Sequence, residues 1–420
     1  MADVVGIIAL LVVGLVTVMA ARRWPGVAVI LLCALAVRVL AVLFQAYIGN
    51  LPDSTADAVS FERTAWEWGQ NGFLVALGHY TGPHSYFNSW LISLLYALFG
   101  RSPVMAQSLS LAAGMGTVLL GYLLARSLWG ELAARKAGWV LAFFPTLVLY
   151  SALTLREAFI WFFLLVALFG VVGWARYGGV KSIALGLFGF AGATFFHGAM
   201  LVGALAFLGL IGWRAARRLV AAMLRNRMHP VSLGLVLVSA VFLASYVAGA
   251  FSVPKLGTFD RAVDVGGLMT RIERSTRSAQ GDAGAAFPAW TVPQQPVELF
   301  VKVPVRALYF TVGPFPWDVR SARHLIGFFD GLLYLALVVL ILRNFRTIWR
   351  DPAARAVLLV LVGYLIVFGM VVGNFGTGIR HRAKFVAGLV ILAAPLLPRL
   401  KLLRKRRTAP PPALPQADGR

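Results

Sequence analysis

Residues 51–72 read LPDSTADAVSFERTAWEWGQNG and sit between two apolar runs of membrane length. Asp57, Phe61, Ala65 and Trp68 recur at helical spacing, which predicts a short helix lying on a bilayer surface with its rings down. Asp57 falls near its start, a carboxylate held at the lipid edge, while Glu62 and Glu67 fall off the apolar stripe and are expected on its solvated face. If this stretch is a surface helix, its neighbours are spans, and counting spans outward fixes the fold.

Runs long enough for a hydrocarbon core of about 30 Å cover 4–20, 26–48, 103–125, 137–152, 158–174, 182–196, 198–212, 231–250, 326–342, 356–373 and 384–398. The fold expected is therefore all-α and polytopic, with about eleven transmembrane helices. The run 86–99 is short and amphipathic, placed in the interface or partly inserted, with a full crossing as the alternative. The first run precedes Arg22 and Arg23 and lacks a basic start and a cleavage site, so it is expected to stay as a membrane helix.

Composition agrees. The chain has 420 residues, 60% of them hydrophobic, and a mean hydropathy of +0.80, well beyond soluble globular usage. A formal charge of +23 would point to nucleic acid in a soluble chain. Here the Lys and Arg fall in short clusters between apolar runs, which is topology, so no nucleic-acid partner is expected. Cys33 is the sole cysteine, and no intrachain disulfide can form.

Charge also orients the chain. With 86–99 not spanning, the segments 21–25, 126–136, 175–181, 213–230, 343–355 and 399–407 share one basic side, the cytoplasm by the positive-inside rule. The extracytoplasmic side then holds 49–87, the turn at Arg156 and Glu157, His197, the long segment 251–325, and the turn 374–382. The organisation expected is one polytopic domain, 1–407, in the inner (plasma) membrane, with a first outer loop at 49–87 and a long outer loop at 251–325. The tail 408–420 is Pro-rich and expected to be disordered and cytoplasmic.

No P-loop, dinucleotide fingerprint, paired-histidine metal helix or nucleophile elbow occurs. The unusual polar residues gather on the outer side instead. Asp57 is a candidate general base, with Asp53 as its rival; the bland reading is that both merely cap or charge a helix start. Arg156 and Glu157 are adjacent and so serve different partners, Glu157 toward a cavity and Arg156 toward a phosphate or headgroup. Arg380 and Arg382 run against the charge bias, and a guanidinium fork suits a phosphate. His197 breaks an apolar stretch near the outer surface and is a weaker substrate candidate. Arg38 lies mid-span, where an ionisable group signals function or pairing. Lys255, Arg261, Arg271, Arg274, Arg277, Lys302 and Arg306 of the long loop are further cations among which the sequence does not choose.

The order of these features resembles the GT-C superfamily of membrane glycosyltransferases, the group akin to protein mannosyltransferases and aminoarabinose transferases (glycosyltransferase family 39-like). Asp57-x-x-x-Phe61-x-x-x-Ala65 resembles its D-x-x-x-Y-x-x-x-A pattern, with Phe61 where the pattern has Tyr. The block SWLISLLYALFGRSPVMAQSLSLAAGMGTVLLGYLLARSLWG (89–130) and AFFPTLVLYSALTLRE (142–157) are similar to the segments that follow. The likeness covers roughly 40–175 and, weakly, 380–382. It implies a multi-pass enzyme that takes a sugar from a polyprenyl-phosphate donor, inverts at the anomeric carbon and passes it to an envelope glycan or lipid acceptor, with Asp57 as base. A divalent metal is left open, because the adjacent acids of some members are missing unless Asp53 substitutes. Two other classes stay in view: a polymerase or ligase of lipid-linked glycan repeats that depends on outer-loop arginines, and a lipid or glycan transporter.

Overall fold

The computed structural model describes residues 2–252, 257–280 and 286–399. Lys255, the basic segment beyond Arg399 and the tail 408–420 lie outside the described residues. Every regular element described is helical, and Ala286 pairs with Asn374 in an isolated antiparallel bridge.

Two apolar helices, α1 (Ala2–Arg23) and α2 (Ala28–Tyr47), open the chain. Three shorter ones follow: α3 (Ala56–Gly69), α4 (Phe73–Gly78) and α5 (Phe87–Phe99). The long α6 (Pro103–Trp129) leads to α7 (Glu131–Phe143), α8 (Pro145–Ser151), α9 (Glu157–Tyr177), α10 (Val180–Phe196) and α11 (Leu201–Met223). Beyond α12 (Pro230–Val247) the long loop contributes α13 (Phe259–Val263), α14 (Val265–Gln280) and α15 (Leu299–Val312). The chain then adds α16 (Ala322–Arg343), α17 (Phe345–Arg350), α18 (Pro352–Val371), α19 (Phe375–Arg382) and α20 (Val386–Ala393).

Among the described residues eight helices are long and apolar enough to cross a membrane, or nine if α7 and α8 form one span. The chain is a multi-pass membrane protein. The difference from the expected eleven has three local causes. Pro145 breaks the 137–152 run into a pair bent by 56°. The 182–196 run forms α10, whose 17 residues extend about 26 Å, a little short of the apolar core. The 384–398 run is divided between 3₁₀ turns and the eight residues of α20, all of them buried, so no single helix there reaches the length of a span.

Side-chain size and exposure fit a bilayer. Val4, Ile8, Leu11, Leu15 and Met19 of α1 are each more than half exposed, an apolar face that a lipid phase covers. Helix contacts rely on small residues instead. A Cβ added at Gly170 would stand 2.1 Å from the backbone N of Gly186, and one at Gly189 would stand 2.2 Å from that of Ala167. Only glycine permits α9 and α10 to approach so closely.

The 21 residues of α9 span about 31 Å and separate two ends of the molecule. At one end Arg176 pairs with Asp351 at 3.2 Å and donates to Ser127 O, joining three of the basic segments. Glu157 lies at the other end.

Two buried arginines hold breaks in the helices. Pro145 cannot donate to Leu141 O, four residues back. Arg38 replaces the missing donor, giving 3.0 Å to Leu141 O and 2.7 Å to Ala142 O, with Ser151 Oγ at 3.4 Å. The mid-span arginine, for which function or pairing is expected, is thus occupied with the α7–α8 bend. Arg306 of α15 is wholly buried and serves the end of α18, donating to Met370 O at 3.1 Å and Val372 O at 2.8 Å. It also reaches Thr291 Oγ1 at 3.2 Å, tying the long loop to the bundle.

Arg38→Met should leave two buried carbonyls at the bend without donors. At about 1–3 kcal/mol for each unmet group, the detergent-solubilised protein should lose several degrees in thermal unfolding followed by tryptophan fluorescence. An unchanged midpoint would show that water or a shift of α8 satisfies those carbonyls.

Candidate functional site

The residues at the Glu157 end of α9 are placed by three elements. α3 carries Asp57 in its first turn, and its buried stripe is Ala58, Phe61, Glu62, Ala65 and Gly69. That stripe faces protein, not lipid: a Cβ at Gly69 would stand 2.7 Å from Ser93 O of α5, and Ser89 Oγ donates to Phe61 O at 2.8 Å. Glu62, expected on the solvated face, is consequently buried, accepting from Tyr96 Oη at 2.9 Å and from Arg101 at 2.9 and 2.7 Å. The correction has a simple cause, since α5 folds over the flank of α3 that periodicity assigns to solvent.

The second element is the start of α9, and the third is α19, where Asn374 Oδ1 caps the helix by accepting from Gly376 N at 2.7 Å and Thr377 N at 3.2 Å. The cap aims Arg380 at both of the other elements. Its Nε donates to Glu157 Oε1 at 2.8 Å, and its Nη1 donates to Asp57 Oδ2. One guanidinium therefore joins carboxylates from α3 and α9. Burial opposes the charge on Arg380, but Glu157 and then Asp57 outweigh it and hold the group above its ordinary pKa, so it stays cationic at every working pH.

Exposure is graded across the triad. The Glu157 side chain is 1% exposed, Arg380 17% and Asp57 55%. Glu157 is the anchor and Asp57 the accessible end. Lys384, itself fully buried, stands 3.7 Å from Glu157 Oε1 and 2.5 Å from His381 Nδ1. His381 in turn meets the His197 ring edge-on at 5.3 Å, and Phe368 lies 5.2 Å from His197. Arg156 packs over the Phe61 ring at 5.4 Å and donates to Ser85 O at 3.2 Å; burial lowers its pKa.

Three cations, Arg156, Arg380 and Lys384, thus gather with two carboxylates, Asp57 and Glu157, leaving one positive charge in excess. Arg380 Nη2, Arg156 Nε and Glu157 Oε2 are buried without a hydrogen-bond partner. Buried donors of this kind are costly unless something pairs with them.

The other candidates are placed differently. Asp53 adopts a positive φ of 58°, which Asp tolerates, and accepts from Tyr150 Oη at 2.8 Å. It is held beside the cluster by a phenol rather than by a cation. Thr55, at the N-cap of α3, makes no side-chain cap. Arg382 points away from the cluster: Nε and Nη2 donate to Asp330 Oδ2 at 3.0 and 2.6 Å, Nη1 to Gly313 O and Nη2 to Gly327 O at 3.2 Å. It is 1% exposed and lies over Tyr334. Arg38 belongs to the α7–α8 bend. Among the described residues no three His, Cys, Asp or Glu side chains converge as a metal set.

Lys384, Tyr150 and Asp330 escape a reading by periodicity and charge bias. Lys384 opens a run that looks like a span, and Tyr150 passes for an aromatic of the membrane interior. Asp330 alone leaves a signal, an acid in mid-span, to which the rule applied to Arg38 extends equally.

No family model matches the chain, and no solved structure matches it. It is similar to the Bacillus subtilis (strain 168) protein named "Putative mannosyltransferase YkcB", at 36% identity over 85 residues. That alignment covers 20% of this chain and 12% of the Bacillus protein.

A double-mutant cycle tests the buried half of the triad. Arg380→Met alone removes the hydrogen-bonded partner of Glu157 and leaves it Lys384 at 3.7 Å, and should destabilise by about 1–3 kcal/mol, as an unmet buried polar group does. Adding Glu157→Gln should recover part of that loss, giving a coupling of about 1–3 kcal/mol. Additive losses in denaturant titrations would show that the two side chains do not depend on each other.

Proposed function

We propose that the chain is a membrane glycosyltransferase that moves a sugar from a polyprenyl-phosphate donor to an envelope glycan or lipid acceptor, on the extracytoplasmic face. The observation that carries this reading is the joining of Asp57, Arg380 and Glu157 at the end of α9 opposite the basic segments. The partial likeness to a protein named as a mannosyltransferase supports the reaction class.

Each residue has a role that its surroundings fit. Glu157 is buried and holds Arg380 in place through Nε. The remaining edge of that guanidinium carries Nη1, bound to the exposed Asp57, and the unpartnered Nη2. A donor phosphate accepting from this edge would draw Arg380 away from Asp57 and free the carboxylate. Asp57 then takes the proton of the acceptor hydroxyl as its oxygen attacks the anomeric carbon. The bond from that carbon to the phosphate oxygen breaks, and Arg380, with Lys384 and Arg156 near it, stabilises the phosphate as it leaves. A phosphate needs no general acid when cations accept its charge. Attack opposite the departing group inverts the anomeric centre. Tyr150 keeps Asp53 next to the cluster, as a second carboxylate that orients the acceptor.

Asp57→Asn should cut transfer of labelled sugar from polyprenyl phosphate by about 10²–10⁴-fold, with donor binding and expression kept. Arg380→Ala should weaken donor binding. Transfer that survives Asp57→Asn and responds only to arginine changes would favour the polymerase or ligase, and flipping or uptake without transfer would favour transport.

A further inference from the structure

The long loop builds a cavity of about 540 Å³ against the start of α19. Its walls include Trp290, Tyr309, Trp317, Asp318, Arg320 and Phe375. We infer that this cavity is a saccharide subsite that holds the acceptor glycan, an inference that rests on the transferase reading above and names its second substrate.

The ring geometry suits a sugar. Trp317 stacks on Phe315 with centroids 5.0 Å apart and planes at 11°, so one indole face is covered while the residue stays 70% exposed. The free face is a flat apolar platform of the kind that the C–H face of a pyranose packs on. Trp290 stands on the other wall, 55% exposed, with Tyr309 6.0 Å away. Hydroxyls at the edge of a stacked ring need donors and acceptors in the same plane. Asp318 and Arg320 supply both within three residues of the indole. Asp318 Oδ2 accepts from Phe315 N at 3.0 Å and Arg320 N donates to His324 Nδ1 at 3.3 Å, which fixes the turn that presents them.

An interfacial aromatic belt is the competing account of exposed tryptophans in a membrane protein. A belt residue needs no concavity and no charged neighbours, whereas these line a hollow within the usual ligand range of about 300–1,000 Å³. The contrast within the molecule is instructive. A cavity of about 600 Å³ between α1, α5 and α6 is walled by Val, Ile, Leu, Met and Ala, with Thr17 and Ser108 as its hydroxyls. That is an environment for an alkyl chain, not a glycan.

Position links the saccharide cavity to the charge cluster. Ala286 bridges to Asn374, and Phe287 N donates to Gly373 O at 2.8 Å, so the cavity floor is fastened to the residues that start α19. Phe375 lines the cavity, and Arg380 follows on the same helix after a rise of about 7.5 Å. Arg380 also stands about 140° round that helix from Phe375, so a chain of sugars stacked on Trp317 would pass the side of α19 for its end to reach Asp57.

The test uses the full chain in nanodiscs, titrated with mannotetraose, maltotetraose and cellotetraose while tryptophan emission is recorded. At least one saccharide should quench saturably. Trp317→Ala should raise its Kd tenfold or more and Asp318→Asn three- to tenfold, with unfolding midpoints unchanged and with Asp57→Asn binding like the parent. The inference falls if none of the three saturates, if binding survives Trp317→Ala, or if brominated lipid tails quench Trp317, which would place it in the belt. In transfer assays Trp317→Ala should raise the acceptor KM with little change in kcat. Loss of transfer in Asp57→Asn with an unchanged acceptor KM in Trp317→Ala would sink this subsite alone. Saccharide binding that depends on Trp317 in a protein whose Asp57→Asn variant still transfers would sink the catalytic reading alone.

Discussion

The charge cluster at the start of α9 depends on one guanidinium. Arg380 is separated by 323 residues from Asp57 and by 223 from Glu157, and without it the carboxylates at the starts of α3 and α9 would meet with Lys384, 3.7 Å from Glu157, as the cation left from the end of the chain. Like charges in a poorly solvated site repel strongly. Because the attraction between opposite charges grows as water is excluded, the pairing with buried Glu157 is the stronger half and the pairing with exposed Asp57 the weaker. That asymmetry lets one arginine be both a structural link and a group able to change partners.

Among the described residues Arg38, Arg156, Arg306 and Arg382 are buried and Arg380 nearly so, and comparing four of these five separates their surroundings. Arg38 gives its donors to carbonyls freed by Pro145. Arg306 serves the last turn of α18. Arg382 saturates Asp330 and backbone oxygens between α15 and α16. Arg380 differs, because part of its fork faces an exposed carboxylate and part faces nothing. In each of the first three, a planar fork meets several acceptors at once, which lysine cannot do. Sequence spacing alone cannot distinguish these fates, since all four look like a cation in an apolar setting.

That limit explains how much was legible. Hydropathy located the spans that form single straight helices, and charge clusters grouped the basic segments that Arg176, Ser127 and Asp351 join. Where a proline or a short helix intervenes, as at Pro145 and in α10 and α20, helix length does not confirm the expected count of about eleven. At the site, the sequence marked Asp57, Glu157, Arg156 and Arg380 as unusual for their depth but could not pair them, because the pairing runs through tertiary contacts hundreds of residues apart. Lys384 and Tyr150 were hidden inside apolar runs. Glu62 was misplaced since the helix that covers it, α5, was itself read as lying apart in the interface.

The two long connecting segments are held differently for the same reason that they differ in composition. The first, 49–87, is rich in acids and aromatics and is short enough to be pinned by α5 on one side and by Arg380 on the other. The second holds seven of the twenty prolines and cannot form a span, so its order has to come from fastening points. Arg306, the bridge between Ala286 and Asn374, and the stacked pair of Phe315 and Trp317 supply them. Each of these lies beside α18 or α19, so the loop that walls the aromatic cavity and the helix that carries Arg380 are held by one set of contacts. An acceptor bound by the loop and a phosphate bound by the helix would then share a frame, and their separation would be set by the protein rather than by diffusion, which is the condition for attack at a defined carbon.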